Sequence, residues 1–158
     1  MTNNSTFNLN ELIRRLKKIK AKEMMTKEVI TVSKHDLLAD VAEMMINKRI
    51  SGFPVLENNQ IIGTITADDL FMVMDMIKTG ETIKNNHDHC SYSVQLAMST
   101  EIITVSPSAN LDEIIALMKY RNIHTLPVIF QNKLVGVIGR RDVFKYFYCT
   151  VKDICQDN

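Results

Sequence analysis

The sequence predicts an α/β (α+β) protein made of two copies of one small unit. The second half of the chain repeats the first half at a fixed offset, and each half runs in the order β-α-β-β-α. The length of 158 residues and the 46% hydrophobic content are enough for two such units to share a core.

The repeat is visible in the alignment of Pro54 with Pro127, which sets an offset of 73 residues. Between Met25 and Phe71, 16 of 47 positions are identical at this offset, without a gap. Chance would give about three identities at typical residue frequencies. The duplication therefore fixes the order of elements in both halves.

Each copy begins with a β-rich run, followed by apolar residues at helical spacing. The runs are Val29–Val32 and Ile102–Val105. The apolar positions are Leu37, Val41, Met44 and Met45 in the first copy and Leu111, Ile114, Ile115 and Met118 in the second. Ser33 and Asp36 resemble a capping box, so we expect the first helix to start there.

Two apolar runs and a final helix complete the unit. In the first copy the runs cover 53–56 and 61–65, and the Asn58-Asn59 pair between them suits a tight hairpin. We expect the final helix to begin near Asp69, or near Asp142 in the second copy. One unit alone buries little surface, so we expect the copies to pack face to face with pseudo-twofold symmetry.

These patterns predict four segments. Residues 1–20 form an N-terminal amphipathic helix, 21–77 the first repeat, 78–93 a polar linker, and 94–158 the second repeat with its C-terminal helix. The apolar face of the N-terminal helix carries Leu9, Leu12, Ile13, Leu16 and Ile19, and its other face carries Arg14, Arg15, Lys17, Lys18, Lys20 and Lys22. We expect this helix to pack on the module or on a dimer mate; membrane or nucleic-acid docking is the alternative.

Charge and composition argue against several classes of partner. Nineteen basic and eighteen acidic residues give a net charge of +1, so neither nucleic acid nor membrane is expected as a main partner. No apolar run approaches the roughly 20 residues that cross a bilayer. Cys90, Cys149 and Cys155 lack metal-ligand spacing and indicate free thiols, which favours a cytoplasmic protein.

Pro54 and Pro127 lie at the same position of two corresponding five-residue segments. Ser51-Gly52-Phe53-Pro54-Val55 matches His124-Thr125-Leu126-Pro127-Val128, and each is followed by a glycine-to-aspartate end, at 63–69 and 136–142. In order and spacing these motifs resemble tandem cystathionine-β-synthase (CBS) repeats, the pair called a Bateman module, over roughly residues 20–148. The resemblance implies a regulatory module that senses an adenine nucleotide (AMP, ADP or ATP), not an enzyme, and that requires no cofactor.

The end of the first repeat has the chemistry of a nucleotide site. Thr66 and Asp69 stand at a strand-to-helix junction, where free helix N–H groups favour a phosphate. The two oxygens of an aspartate can accept hydrogen bonds from adjacent ribose hydroxyls. Gly63 lets a backbone approach closely. The resemblance assigns Thr66 and Asp69 to the ribose and phosphate signature of the family.

The resemblance also implies two composite clefts, each built from both repeats. The first would contain Thr66, Asp69, Ile102, Ile103, Ile123, His124, Pro127 and Arg141. The second would contain Asp142, Arg140, Val29, Ile30, Ile50, Ser51 and Pro54. Apolar walls on both sides of a flat ring, with backbone groups at its edge, suit an adenine.

The two clefts differ in their polar residues. Gly139 replaces the threonine in the second copy and removes a hydroxyl, while Asp68 stands where the second copy has Arg141. Arginine suits phosphate because its planar fork donates two parallel bonds. We therefore expect the Thr66 and Asp69 cleft to bind first. Asp69 and Asp142 could instead only cap their helices, and His124 could be structural.

Other functions stay open at this stage. A structural dimerisation module with empty clefts is one alternative, and a sensor of S-adenosylmethionine is another, because Asp68 tolerates a cationic ligand. No nucleophile–base pair or Walker-type loop indicates an enzyme. The His87-Asp88-His89-Cys90 run has no second set of ligands, so no metal site is expected. Apolar faces of the final helices, with Phe71, Met72, Ile77, Phe144 and Phe147, predict a homodimer, and the regulated effector protein is unknown.

Overall fold

The computed structural model describes residues 9–79 and 92–156. These residues divide into two compact units. We call residues 28–79, 92–103 and 131–134 the repeat-1 unit, and residues 9–27, 104–130 and 135–156 the repeat-2 unit. The His87-Asp88-His89-Cys90 run lies outside the described residues.

The repeat-1 unit contains a three-stranded sheet and three helices. Its elements are β1 (Val32–Ser33), α3 (Leu38–Lys48), β2 (Gly52–Glu57), β3 (Gln60–Thr66), α4 (Ala67–Lys78) and α5 (Val94–Ala97). Strand β1 pairs with β2 in parallel, and β2 pairs with β3 in antiparallel fashion. The core lies between the sheet and the helices and contains Val32, Leu38, Val41, Met45, Phe53, Val55, Ile65, Val73, Tyr92 and Val94.

The repeat-2 unit has the same central elements. It contains α1 (Leu9–Leu16), α2 (Ala21–Met24), α6 (Leu111–Tyr120), β4 (Thr125–Phe130), β5 (Lys133–Gly139) and α7 (Arg140–Gln156). The first two residues of β5 and the turn before them are grouped with the repeat-1 unit. Strands β4 and β5 form a two-stranded sheet, and Val105 adds a single parallel bridge to Val128. The bounds of β2, β3 and α5 match those of β4, β5 and α2 at the 73-residue offset, which confirms the predicted repeat and the α/β (α+β) class.

Both hairpins turn through two residues with positive φ. Asn58 and Asn59 have φ values of 49° and 62°, and Gln131 and Asn132 have 49° and 60°. Two consecutive left-handed residues are typical of the type I′ turn, whose twist matches that of the flanking strands. The hairpin predicted between 57 and 60 is therefore confirmed.

The first strand is shorter than the sequence predicts, because only Val32 and Ser33 of the β-rich segment enter the sheet. Val32 pairs with Val55 at the start of the parallel ladder. To extend this ladder toward the N-terminus, the residue at position 54 would have to donate its N–H to the carbonyl of Ile30. Pro54 has no N–H, and the ladder ends there.

The start of α3 also differs from the prediction. Asp36 Oδ2 accepts from the N–H of Ser33 at 2.8 Å, but this pair closes a turn, and the helix begins only at Leu38. Leu38 rather than Leu37 is consequently buried, and Leu37 is exposed. In the second copy Asn110 caps α6 by accepting from the N–H of Glu113 at 2.8 Å.

A short helix precedes the first β-rich run of each copy, α2 in the first copy and α5 in the second, and we call the segment around it the lead-in. Each lead-in packs in the unit that holds the other copy's sheet. In the repeat-1 unit Val94 N donates to Asp36 O at 2.8 Å; in the repeat-2 unit Ala21 N donates to Ala109 O at 2.9 Å. These pairs match at the 73-residue offset. The lead-in helices α5 and α2 therefore belong to units whose sheets lie in the opposite half of the sequence.

The N-terminal helix ends at Leu16, before the end of the predicted 1–20 segment, and residues 1–8 of that segment lie outside the described residues. Helix α1 packs on α7 in the repeat-2 unit, with Leu12 buried and Leu9 and Ile13 exposed. Glu11 accepts hydrogen bonds from Arg14 and Arg15, so two of the six basic residues predicted on this helix are paired within it. No helix in the described ranges is long and apolar enough to cross a membrane.

Candidate functional site

The junction between β3 and α4 places Thr66 and Asp69 side by side. Strand β3 ends at Thr66 and α4 begins at Ala67, so Asp69 occupies the third helical position. Asp69 Oδ2 accepts from the N–H of Thr66 at 2.7 Å and from Thr66 Oγ1 at 2.6 Å. The helix therefore starts two residues earlier than expected, and Asp69 reaches back to cap it.

This arrangement orients the Asp69 carboxylate. Both hydrogen bonds of Asp69 use Oδ2, and Oδ1 accepts none from the described residues. The carboxylate lies half-buried in the first turn of α4, at the positive end of the helix dipole. Oδ1 can therefore accept a hydrogen bond from a ligand hydroxyl while Oδ2 keeps the side chain in place.

The hydroxyl of Thr66 contacts Asp69 directly. It donates to Asp69 Oδ2 at 2.6 Å, and its predicted role toward a ribose or a phosphate stays a prediction. A hydroxyl keeps acceptor capacity while it donates one bond. Thr66 therefore positions Asp69 and can still accept one hydrogen bond from a ligand.

The corresponding junction of the second copy is less constrained. Asp142 Oδ2 accepts a single bond from the N–H of Gly139 at 2.8 Å, since Gly139 has no hydroxyl. A Cβ on Gly139 would lie 3.5 Å from Asp142 Oδ2 and 3.9 Å from the carbonyl oxygen of His124, both ordinary contacts. The loss of the hydroxyl is thus not imposed by lack of space.

The segment before each central strand is bound to the start of the following helix. The N–H of Ala67 donates to the carbonyl of Ser51 at 2.9 Å, and the N–H of Arg140 donates to the carbonyl of His124 at 3.3 Å. These bonds satisfy one of the free N–H groups at each helix start. Ser51 and His124 are thereby positioned at the same junctions as the two aspartates.

Because Pro54 and Pro127 have no N–H, the peptide groups of Ile30 and Ile103 stay outside the sheets. Neither Ile30 nor Ile103 makes a backbone hydrogen bond within the described residues, and both side chains are half-buried. In the repeat-2 unit Val105 bonds to Pro127 O and Ile129 N, and the ladder ends at Val105 because Pro127 has no N–H. The peptide groups of Ile30 and Ile103 can therefore bind the edge of another molecule.

The basic residues of the second junction have separate surroundings. Arg140 Nη2 donates to the carbonyl of Met118 and to Asn122 Oδ1, both at 3.2 Å. A cation at the C-terminal end of α6 stabilises the helix dipole, so Arg140 has a structural contact that the sequence did not predict. Arg141 is exposed and His124 is half-buried.

Gly63 and Gly136 occupy the same position in the two repeats, and close packing explains why each is a glycine. A Cβ on Gly63 would lie 2.6 Å from the carbonyl oxygen of Ser99, and one on Gly136 would lie 2.5 Å from Met25 Sδ. Thr64 and Ser99 exchange two backbone hydrogen bonds of 2.9 Å beside this contact. The close approach expected at Gly63 is thus made by the lead-in of the second copy. The sequence offers no signal for Ser99, because the pairing crosses between repeats.

The predicted site residues are distributed over the two compact units. The repeat-1 unit contains Thr66, Asp69, Ile102, Ile103, Val29, Ile30, Ile50, Ser51 and Pro54. The repeat-2 unit contains Ile123, His124, Pro127, Arg140, Arg141 and Asp142. The junction chemistry is therefore seen within each unit, and the joining of residues from both repeats into one cleft stays a prediction.

Comparison of the sequence with models of known protein families identifies the family of this duplicated unit. The model of the CBS domain matches residues 21–75 and 93–148. The chain belongs to the CBS domain family. The two matches cover the greater part of the chain, and they place one CBS domain in each half of the sequence.

Two curated relatives show how the CBS pair occurs elsewhere. The CBS domain-containing protein YhcV of Bacillus subtilis is 29% identical over 122 residues, which cover 77% of this chain and 81% of YhcV. The uncharacterized protein MJ0188 of Methanocaldococcus jannaschii is 29% identical over 128 residues, 80% of this chain. The chain spans only 43% of MJ0188.

Two solved structures share the fold. The CBS domain pair of protein MJ0100, in complex with 5′-methylthioadenosine and S-adenosyl-L-methionine, has a TM-score of 0.70 at 20% identity, over 83% of this chain and 97% of that chain. CBSX2 in complex with AMP has a TM-score of 0.69 at 21% identity, over 84% of this chain and 98% of that chain. At these identities the likeness establishes the fold of the CBS pair.

Proposed function

We propose that this CBS pair is a regulatory, non-catalytic module that binds an adenine nucleotide, AMP, ADP or ATP, and signals its occupancy to a partner protein. The ribose of the ligand binds at Asp69 first. Asp142 provides the second, weaker position. Our proposal includes a cytoplasmic location and an effector protein as the regulated partner.

The orientation of Asp69 is the single observation that supports this proposal most strongly. Its Oδ2 is held by two hydrogen bonds from Thr66, so Oδ1 is available in a fixed direction at the start of α4. A site whose acceptor is already positioned loses little side-chain entropy when a hydroxyl binds. The helix start also favours the phosphate that follows a ribose in a nucleotide.

Peptide groups outside the sheet support the adenine part of the proposal. Ile103 carries an N–H and a carbonyl with no hydrogen bond among the described residues, beside a half-buried apolar side chain. The edge of adenine offers both donors and acceptors, and its faces are apolar. A peptide group next to an aliphatic side chain can bind both features.

The solved relatives support the class of ligand. CBSX2 is in complex with AMP, and the CBS pair of MJ0100 is in complex with two compounds that contain adenosine. All these ligands share adenine and ribose and differ in what the ribose carries. The Asp69 junction provides groups for the shared part, which is why we propose an adenosine-containing ligand for this chain.

S-adenosylmethionine is the second candidate ligand, and Asp68 is the observation that favours it. Asp68 is exposed in the first turn of α4, where the second copy has Arg141. A carboxylate repels a phosphate chain but attracts a sulfonium cation. A structural module with empty clefts is the remaining candidate, and it predicts no ligand at all.

A thermal-shift panel with AMP, ADP, ATP, S-adenosylmethionine and NAD tests the proposal, with GMP and methionine as controls for adenine and for the amino-acid part. A ligand at one hundred times its dissociation constant adds about 2.7 kcal/mol to the free energy of unfolding, which raises the melting temperature measurably. We expect a shift with at least one adenine nucleotide and none with GMP. The absence of any shift across the adenine ligands would leave the structural module as the function.

A further inference from the structure

The first two helices of the chain are strongly basic. Residues 9–27 contain seven basic and two acidic residues, a net charge of +5. Two of these cations are arginines that pair with a glutamate within α1. Lys17, Lys18 and Lys22 are exposed, and their side chains form no ion pair with any residue in the described ranges. This segment therefore carries positive charge that the described residues do not neutralise.

Two exposed apolar side chains lie beside these lysines. Leu9 and Ile13 are 58% and 41% exposed and one helical turn apart, so they lie on one face of α1. Lys17 N donates to Ile13 O at 3.1 Å, which continues the same face by one more turn. Leu12 is buried, and α1 packs on α7. We call Leu9, Ile13, Lys17, Lys18 and Lys22 the basic surface.

Helix α7 connects this surface to the second junction. Helices α1 and α2 both pack on α7, and α7 begins at Arg140, two residues before Asp142. Thr150 and Ile154, in the second half of α7, are buried. A rigid helix transmits a displacement along its length. A shift of α7 at the second junction would therefore move the helices that carry the basic surface.

The distribution of charge favours an acidic protein segment over an extended polyanion. The described residues of the repeat-1 unit include five basic and nine acidic residues, a net charge of −4. Nucleic acids and anionic membranes extend far beyond α1, and this acidic unit would repel them. A membrane also requires a continuous apolar face, and on α1 only Leu9 and Ile13 are exposed apolar residues. An acidic amphipathic helix matches the lysines and the two aliphatic side chains locally.

We propose that the basic surface binds an acidic amphipathic segment of the effector protein. This inference rests on the proposed function, because it assigns a surface to the partner that receives the signal. Carboxylates of the segment pair with the three lysines, and its apolar side chains pack on Leu9 and Ile13. The charges raise the association rate and the specificity, and the apolar contacts contribute to affinity.

Fluorescence polarisation of the full chain, without nucleotide, tests the charged part of this surface. The probe is a fluorescein-labelled helical peptide of about 15 residues, with glutamates on one face and leucines beside them. We expect the double variant Lys17→Glu/Lys18→Glu to bind the peptide about tenfold more weakly. Lys119→Glu is the matched control, because Lys119 is an exposed lysine at the far end of α6 in the same unit.

Ile13→Ser tests the apolar part and should weaken peptide binding about threefold. Its matched control is Ile115→Ser on α6, since Ile115 is 42% exposed and Ile13 is 41% exposed. Circular dichroism checks that all variants are folded. Equal peptide affinities in the wild type, the double lysine variant and Ile13→Ser would overturn the proposal.

A DNA duplex and phosphatidylglycerol vesicles are titrated in the same way to distinguish the other anionic partners. Tighter binding of either probe than of the peptide would overturn the assignment to a protein segment. Nucleotide binding is measured separately by thermal shift. Failure of the peptide to bind a protein that does bind nucleotide would overturn this inference alone. Peptide binding without any nucleotide shift would overturn the proposed sensing and leave the basic surface as a protein-binding site.

Discussion

Thr66 donates two hydrogen bonds to the same oxygen of Asp69, one from its N–H at 2.7 Å and one from its Oγ1 at 2.6 Å. The second copy has only one such bond, from the N–H of Gly139 to Asp142 Oδ2 at 2.8 Å. The two repeats share their backbone design but differ by one hydroxyl at the point where the ligand is proposed to bind. This difference makes the first aspartate the better oriented of the two.

Replacement of Thr66 by valine should destabilise the protein by about 1.5 kcal/mol. Valine keeps the shape of threonine and the backbone bond to Asp69 but removes the hydroxyl, and a hydrogen bond to a charged group contributes about 1.5–3 kcal/mol. Urea unfolding measures the difference. An unchanged free energy of unfolding would show that the Oγ1 bond to Asp69 contributes nothing in solution.

The reverse change, Gly139→Thr, should stabilise the protein by about 1 kcal/mol. A Cβ at this position meets only ordinary contacts, the unfolded chain loses freedom, and the new hydroxyl can donate to Asp142. Gly139→Val is the control, because it adds the same bulk without the hydroxyl. Equal stabilities of the threonine and valine variants would contradict a hydroxyl–carboxylate bond at this position.

Gly63→Ala should destabilise the repeat-1 unit by about 1–3 kcal/mol. The added Cβ would lie 2.6 Å from the backbone oxygen of Ser99, which cannot move without the lead-in chain. Gly136→Ala meets the flexible side chain of Met25 instead, so Met25→Ala should restore much of its stability. Thermal unfolding of the two glycine variants and of the Gly136→Ala/Met25→Ala double variant checks this. A Gly63→Ala protein as stable as the wild type would mean that the lead-in is not bound there.

The Glu11 carboxylate should titrate near pH 2. Hydrogen bonds from Arg14 and then Arg15 lower the pKa of Glu11 from 4.5 to about 2. A group with a lowered pKa stabilises the folded state above its unfolded value and loses this effect as the pH falls from about 4.5 to about 2. Side-chain NMR titration measures the pKa directly, with Glu11→Gln as the assignment control. A pKa close to the ordinary glutamate value would show that the arginines do not hold the carboxylate.

The sequence predicted most of the fold because the repeat and the turn chemistry are local signals. The 73-residue offset located both sheets, and the Asn58-Asn59 pair located a hairpin. The first strand was predicted too long, because pattern alone does not show that Pro54 withholds a ladder donor from Ile30. The start of α3 was predicted too early, because Asp36 closes a turn with Ser33 rather than capping the helix.

The sequence located the residues of the candidate site along the fold but did not predict their contacts. Asp69 was placed at the correct junction, yet the sequence does not show that Thr66 donates to it. Gly63 was assigned to a close approach without its partner, since Ser99 reaches it from the lead-in of the other repeat. Such pairings depend on which unit each segment joins, and a repeat in sequence does not determine that.

The central claim is that the Asp69 carboxylate binds the ribose of an adenine nucleotide. Isothermal titration with AMP, ADP and ATP tests it in the wild type and in Asp69→Asn. The asparagine oxygen can still accept from Thr66, so the helix start is preserved, but its amide group replaces the oxygen that would accept a ribose hydroxyl. Asp112→Asn, on the exposed face of α6, is the control for a lost surface charge. Asp142→Asn reports on the second junction.

We predict that Asp69→Asn weakens nucleotide binding about tenfold or more, that Asp142→Asn has a smaller effect, and that Asp112→Asn has none. Equal affinities in the wild type and in Asp69→Asn would contradict the assignment of the ribose to Asp69. If no adenine ligand produces heat with the wild-type protein, the module does not sense nucleotides.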